Sequence, residues 1–279
     1  MDFQFTPFEP PPALRPILRR SFYARGRIPY RSDKILPNGL AVAIFNRGAP
    51  HRVGKAPEPR HNPAFAHSWL HGVQTTPIFN TPGAETHVVG LVFEPPGLHA
   101  LTGVDMRALA DRTVDARNVL PPLLLGRIVD DLPALATAAA HRALHDTLLA
   151  HAATAPQDWL AALYAQIRES RGAVRLGEAY AATGLSARHV TARFRAAVGV
   201  SPKVLCRIYR LQALLEAVDP AAPVNWTALA HAHGFYDQAH FNRDFRAFSG
   251  LHPAQYLAQR RRDLPQLGRG ESVHFAPQR

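Results

Sequence analysis

Residues 188–205 read RHVTARFRAAVGVSPKVL, and residues 239–256 read AHFNRDFRAFSGLHPAQY. Laid over each other at an offset of 51, His189 meets His240 and Phe194 meets Phe245. Arg195-Ala196 meets Arg246-Ala247, Gly199 meets Gly250, and Pro202 meets Pro253. Just upstream the offset falls to 50, where Ala182-Thr183-Gly184 faces Ala232-His233-Gly234 and Leu176 faces Trp226. The second copy therefore carries one extra residue in its turn. Self-similarity at a fixed offset means one supersecondary unit used twice.

Each copy predicts a short helix, a glycine turn and a longer helix. The first turn is Thr183-Gly184-Leu185-Ser186, with Ser186 placed to cap the next helix. The second is His233-Gly234-Phe235-Tyr236-Asp237, with Asp237 as the cap. Glycine in a tight turn between two helices, where a left-handed backbone is needed, is the signature of a helix-turn-helix. Val190, Phe194 and Val198 mark the buried stripe of the first long helix; Phe241, Phe245 and Phe248 mark that of the second. The opposite face carries Arg188, Thr191, Ala192 and Arg195 in the first copy, and Gln238, Ala239, Asn242, Arg243 and Arg246 in the second. Arginine matches the acceptor pair of guanine, and Gln or Asn the donor–acceptor pair of adenine. These nine residues are the candidate DNA-binding set.

Between the copies, residues 202–219 place Val204, Leu205, Ile208, Leu211, Leu214, Leu215 and Val218 at helical spacing, which predicts one amphipathic spacer helix. Two units entering successive major grooves on one face of a duplex must sit about 34 Å apart. Residues 157–262 hold 14 Lys and Arg against 7 Asp and Glu, so most of the chain's net charge of +11 lies where phosphates would be met. A solvated helical bundle would also be basic. It would not repeat turn, cap, core stripe and exposed chemistry together.

Residues 157–262 resemble the DNA-binding domain of the AraC/XylS family of bacterial transcription regulators. The resemblance lies in Gly234-Phe235-Tyr236-Asp237-Gln238-Ala239-His240-Phe241-Asn242-Arg243-Asp244-Phe245 and in Gly250-Leu251-His252-Pro253-Ala254-Gln255-Tyr256. It implies a seven-helix domain with both recognition helices on one face of DNA, and RNA polymerase as a partner. The first unit departs from the family at Ala179-Tyr180, where a large aliphatic residue followed by alanine is usual; the second keeps Leu229-Ala230. The N-terminal region more faintly resembles the sensor domain of a subgroup of these regulators, through Leu36-Pro37-Asn38-Gly39, Ile44-Phe45-Asn46, the strand from Gly90 to Pro96, and Leu109-Ala110-Asp111. That subgroup's ligand is unassigned.

Outside the repeat, residues 1–110 are rich in Gly, Pro and Asn between short β-prone runs. Ala41-Val42-Ala43-Ile44-Phe45 reads as a strand between the turn signals Pro37-Asn38-Gly39 and Asn46-Arg47-Gly48. A second candidate runs from Ser68 to Thr75, and a third from His87 to Phe93, ended by Pro95-Pro96-Gly97. The expected fold class is α+β: a small β-rich sensor or regulatory domain, cupin-like barrel or sandwich, over 1–110; a helical connector and possible dimer interface over 111–156; the double helix-turn-helix over 157–262; and a mobile tail over 263–279.

Hydrophobic residues make up 47% of the 279-residue chain and charged ones 19%, an ordinary globular balance that allows a sizeable core. The single cysteine, Cys206, sits in an apolar helical pattern and reads as a small buried side chain. No long apolar run or signal-like start is seen, so a cytoplasmic protein without a membrane partner is expected. His67, His71, His87 and His99, with Glu85 near His87, raise a metal site, but their spacing is not that of a ligand set. No phosphate-binding glycine loop or nucleophile elbow occurs. The expectation is a non-enzyme without metal or cofactor: a sequence-specific regulator binding double-stranded DNA, controlled by an unknown small-molecule effector, and a possible homodimer. Two readings stay open beside it, a metal-dependent enzyme on the N-terminal barrel and a ligand-free regulator acting through protein contacts.

Overall fold

A computed structural model of the chain describes residues 3–28, 30–131, 134–151, 158–263 and 275–278. The first half alternates short strands with turns: β1 (Gln4–Phe8), β2 (Leu18–Gly26), β3 (Ser32–Ile35), β4 (Ala41–Asn46), β5 (His51–Gly54), β6 (Ala64–Phe65), β7 (Ser68–His71), β8 (Ile78–Thr81), β9 (Thr86–Phe93) and, after helix α1 (Pro95–Thr102), β10 (Thr113–Val114). Helices α2 (Pro122–Asp131) and α3 (Ala138–His151) follow. The second half is helical: α4 (Asp158–Glu169), α5 (Leu176–Ala182), α6 (Ala187–Val198), α7 (Pro202–Glu216), α8 (Trp226–Ala232), α9 (Gln238–Ser249) and α10 (Pro253–Asp263). A last strand, β11, spans Phe275–Gln278.

Two antiparallel sheets form the N-terminal domain, in the orders β1-β2-β9-β4-β7-β10 and β11-β3-β8-β5-β6. Because side chains alternate along a strand, the first sheet has two distinct faces. One carries Tyr23, Ala43, Phe45, Leu70, Val89 and Leu91, buried in one cluster with Leu98 of α1, Leu124 and Ile128 of α2, and Leu144 and Leu148 of α3. The other carries Ala24, Ile44, Trp69 and Val88, which meet Val53 of the second sheet in a smaller cluster. Gly90 lies on that inner face under the Phe22 ring: a Cβ there would come within 2.1 Å of Phe22 Cζ and would displace the ring.

Three sequence expectations change. The connector over 111–156 is part of the N-terminal domain's main core, because the apolar stripes of α2 and α3 bury against the first sheet. The mobile tail over 263–279 is corrected at its end, where β11 pairs antiparallel with β3, Phe275 opposite Ile35 and Gln278 opposite Ser32. An edge strand offers a row of open main-chain groups, and β11 covers that row on β3. The rest of the expected tail, residues 264–274 and 279, lies outside the described residues. The strand expected from Ser68 to Thr75 stops at His71.

The helical half has its own core, built on Val190, Phe194, Ile208, Leu211, Phe241, Phe245 and Tyr256, and it also takes in Leu36 and Val73 from the β-rich half. The two halves therefore share apolar packing.

Candidate nucleic-acid interface

The recognition helices are set by local chemistry. Ser186 accepts the His189 N–H and starts α6; Asp237 accepts the His240 N–H and starts α9. Gly184 and Gly234 make the turns at φ +67° and +74°. Gly199 and Gly250 end the helices at φ +96° and +69°, each donating its N–H to the carbonyl four residues back. The predicted apolar stripes are the buried ones: Val190 and Phe194 in α6, and Phe241, Phe245 and Phe248 in α9. Trp226, Phe235 and Tyr256 surround the α9 phenylalanines edge-on or stacked, with ring centroids 5.3–5.9 Å apart.

The opposite faces are open. Arg188, Ala192 and Arg195 are exposed and Thr191 is half-buried; Gln238, Ala239, Arg243 and Arg246 are exposed and Asn242 is half-buried. All nine sequence-derived residues thus reach solvent, in one group on each helix. The extra residue of the second turn has a clear use. Phe235 turns into the core, with the Arg210 guanidinium 5.7 Å from its ring, while Tyr236 stands 85% exposed just ahead of the Asp237 cap. Tyr236 was not among the sequence-derived residues, although an aromatic side chain beside a helix cap in the turn was a usable signal.

Sequence reasoning also missed Asp244. It lies on the buried side of the basic helix α9 with a side chain 2% exposed. Arg207 of α7 donates to it twice, from Nε at 3.0 Å and Nη2 at 2.7 Å, and His240 lies 3.4 Å away. Arg210, one turn along α7, donates to the Gly172 carbonyl at 3.1 Å in the loop before α5. The spacer helix therefore binds polar groups of both units. Cys206 on the same helix is buried, and burial pushes its thiol up to about 11, which suits packing and not reactivity. In the first unit Ala179 is buried and Tyr180 packs partly against the helical core, so Tyr180 sits at the core's edge.

The β-rich domain touches this assembly at several points. Glu94, 2% exposed just before α1, accepts from Arg19 of β2 at 2.8 Å, Arg168 of α4 at 3.1 Å and the Tyr164 hydroxyl at 2.5 Å. The Tyr164 hydroxyl in turn lies 3.0 Å from that of Tyr209 on α7. Burial, reinforced by Tyr209 and Glu94, raises the Tyr164 phenol well above its ordinary value, so it stays a donor. In the turn Leu36-Pro37-Asn38-Gly39, the Pro37 carbonyl accepts from Gln212 Nε2 of α7, and Gly39 lies against Leu205 and Tyr209. The ends of both recognition helices are also met. A Cβ on Gly199 would lie 3.0 Å from the Met106 carbonyl, and one on Gly250 would lie 3.7 Å from Lys34 Nζ.

The histidines considered for a metal do not gather. His71 is buried with Nδ1 3.3 Å from the Gly72 carbonyl, His87 lies 3.2 Å from the Tyr23 hydroxyl, and His99 Nδ1 is 2.8 Å from the Val104 carbonyl. Among the described residues no three His, Cys, Asp or Glu are grouped to hold a metal ion. None of their helices is long and apolar enough to cross a membrane.

Comparison with known proteins agrees with this division. Residues 180–259 match the family described as a helix-turn-helix domain, and residues 6–115 match a domain of unknown function, DUF6597. No curated protein matches the chain. Among solved structures the chain is similar to ToxT from Vibrio cholerae, at 9% identity and TM-score 0.46 over 92% of this chain and 98% of that one. A second ToxT structure from that organism, bound to (E)-4-(8-methylnaphthalen-1-yl)but-3-enoic acid, gives 11% identity and TM-score 0.44 over 92% and 99%. With its capped, glycine-turned hairpin present twice, the C-terminal part of this chain carries a helix-turn-helix domain.

Proposed function

We propose that the chain reads a bipartite DNA site as a single polypeptide and that a small molecule bound to the β-rich domain controls it. The observation that carries the reading is the pairing of two exposed, arginine-bearing recognition faces, on α6 and α9, held by one spacer helix whose Arg207 and Arg210 bind both units. In this reading Arg188, Thr191, Ala192 and Arg195 meet one major groove, and Gln238, Ala239, Asn242, Arg243 and Arg246 meet the next. Other Lys and Arg residues of the domain neutralise phosphates. The shared packing with the β-rich domain gives an effector a route to bias the two units, since a ligand shifts a conformational equilibrium by its differential affinity for the two states. Contact with RNA polymerase, a cytoplasmic location and homodimerisation belong to the same reading.

Site selection from a randomised duplex library with the full chain tests it. Enrichment of two short elements about 10–10.5 base pairs apart, centre to centre, is expected. Sequence-independent binding, or one undivided element, would overturn it.

A further inference from the structure

The space between the two sheets of the N-terminal domain holds polar atoms that the chain itself leaves unmet. Asp33 of β3 and Asn80 of β8 are cross-strand partners, as are Asn80 and Val53 of β5, so their side chains share one face. Val53 is packed with Trp69, Ile44, Ala24 and Val88 of the opposing sheet, so that face is the inner one. His51, two residues before Val53, sends its ring to within 5.0 Å of Trp69's across the gap.

The hydrogen bonds run in a chain. Asn80 Nδ2 donates to Asp33 Oδ2 at 3.0 Å, and His51 Nδ1 donates to Asn80 Oδ1 at 3.0 Å. Tyr30 also bonds to the Asp33 carboxyl. Asp33 Oδ1 and His51 Nε2 are left over, both buried and both without a partner. Unpaired polar atoms at this depth carry a desolvation cost of about 1–3 kcal/mol each. Burial pushes the Asp33 carboxyl up to about 8 and lowers the imidazole, so at neutral pH both groups are uncharged. One leftover atom is then a donor and the other an acceptor. Reversing the Asn80 amide exchanges their roles and leaves the pair complementary. Around them Trp69, Ile44, Val53 and the half-buried Phe3, Phe22 and Phe65 are apolar or aromatic, while Arg20, on the same face of β2 as Phe22, keeps a buried Nε without a partner.

We propose that this inter-sheet cleft, anchored by Asp33 and His51 and walled by Trp69, Ile44 and Phe22, binds an uncharged ligand with an amide-like head, one acceptor beside one donor, on an apolar body. The inference rests on the effector reading above and names its ligand class. A carboxylate at the Asp33–His51 pair is disfavoured by the same chemistry. It would set a charge against the lone pair of an uncharged imidazole, and Lys34, next to Asp33, points to the other face of its sheet, over Phe79.

The test uses the full chain, with benzamide and its isosteric anion benzoate as probes at neutral pH and ligand-observed saturation-transfer NMR as the readout. Saturable benzamide binding at least tenfold tighter than that of benzoate is expected. His51→Phe should abolish it. Asp33→Asn should retain it within a few-fold, because a side-chain amide can take either role. Intermolecular contacts from benzamide to Trp69 and Ile44 in the unmutated protein give the same information should either variant fail to fold. No saturable benzamide binding up to millimolar concentration, equal binding of benzoate, or contacts elsewhere would overturn the site. The same sample is assayed on its selected duplex. Duplex binding without benzamide binding removes the cleft and spares the regulator, whereas loss of specific duplex binding removes the regulator reading itself.

Discussion

Arg207 and Asp244 meet through two near-parallel hydrogen bonds, 3.0 and 2.7 Å long, that tie the spacer helix α7 to the buried side of recognition helix α9. The carboxylate is almost wholly buried while the guanidinium is 31% exposed, with its carbon 5.1 Å from the Phe248 ring centroid. A bidentate pair fixes angle as well as distance. It sets how α9 is presented, without itself being able to face DNA.

Asp244→Ala leaves the guanidinium without its partner. The expected loss is about 3 kcal/mol of unfolding free energy, the low end for breaking a buried pair because Arg207 is partly hydrated. Urea unfolding of the full chain measures it. Site selection with the variant should weaken at the element read by α9 and keep the other.

Arg243→Ala removes an exposed side chain of α9. Affinity should fall by about 1–3 kcal/mol with specificity relaxed at one base pair. Equal binding by mutant and wild type across a randomised library would strike Arg243 from the interface. Tyr236→Ala should lower affinity with unchanged base preference, as expected of a backbone contact.

Glu94→Ala leaves Arg19, Arg168 and Tyr164 without the carboxylate they share at the domain junction. Thermal unfolding should shift down and lose cooperativity between the two halves, visible as a second calorimetric transition. Tyr164→Phe removes one donor only and should cost about 1 kcal/mol.

The pH dependence has a definite sign. Ser21 Oγ bridges His141 Nδ1 and His145 Nε2 at 2.8 Å each, between β2 and α3. Burial lowers both imidazoles, His141 to about 4 with help from the neighbouring His145. The folded state thus resists protons that the unfolded chain accepts from about pH 6.5 downward. Stability is full above that pH and is lost as pH falls toward 4, by about 2–3 kcal/mol for His141. His141→Phe, which keeps the stack on Phe8, should flatten this slope in pH-resolved denaturation. Asp33 runs the other way. Its carboxyl, raised to about 8, favours folding least at high pH, because only the unfolded chain ionises above about 3.8. Asp33→Asn should therefore stabilise most at pH 8 and least at pH 4.

The helical half was legible because each signal was local. A cap, a turn glycine and a three-to-four residue stripe all lie within one unit, and the unit is written twice. In the β-rich half three runs stood out, around Ala41–Asn46, from Ser68, and around Thr86–Phe93. β2 was missed because Arg19, Arg20 and Arg25 interrupt it, and the partner of Arg19, Glu94, comes from just past the end of the neighbouring strand β9, some seventy-five residues later in the chain. The connector's leucines announced burial but not their partner, which comes from strands some hundred residues earlier. Leu36-Pro37-Asn38-Gly39 read correctly as a turn; that its carbonyl and its bare glycine receive α7 depends on the tertiary structure alone.

Strand β3 is one residue thick, and its neighbours Asp33 and Lys34 project on opposite sides. Asp33 lies on the inner face between the sheets, and Lys34 reaches the carboxyl-terminal end of α9, where a helix presents its negative pole. A single peptide unit is all that lies between the interior of one domain and the last turn of α9 in the other. Register along β3, held by β8 on one edge and by the returning chain end on the other, consequently fixes where Lys34 stands against the end of α9 as much as it fixes the sheet.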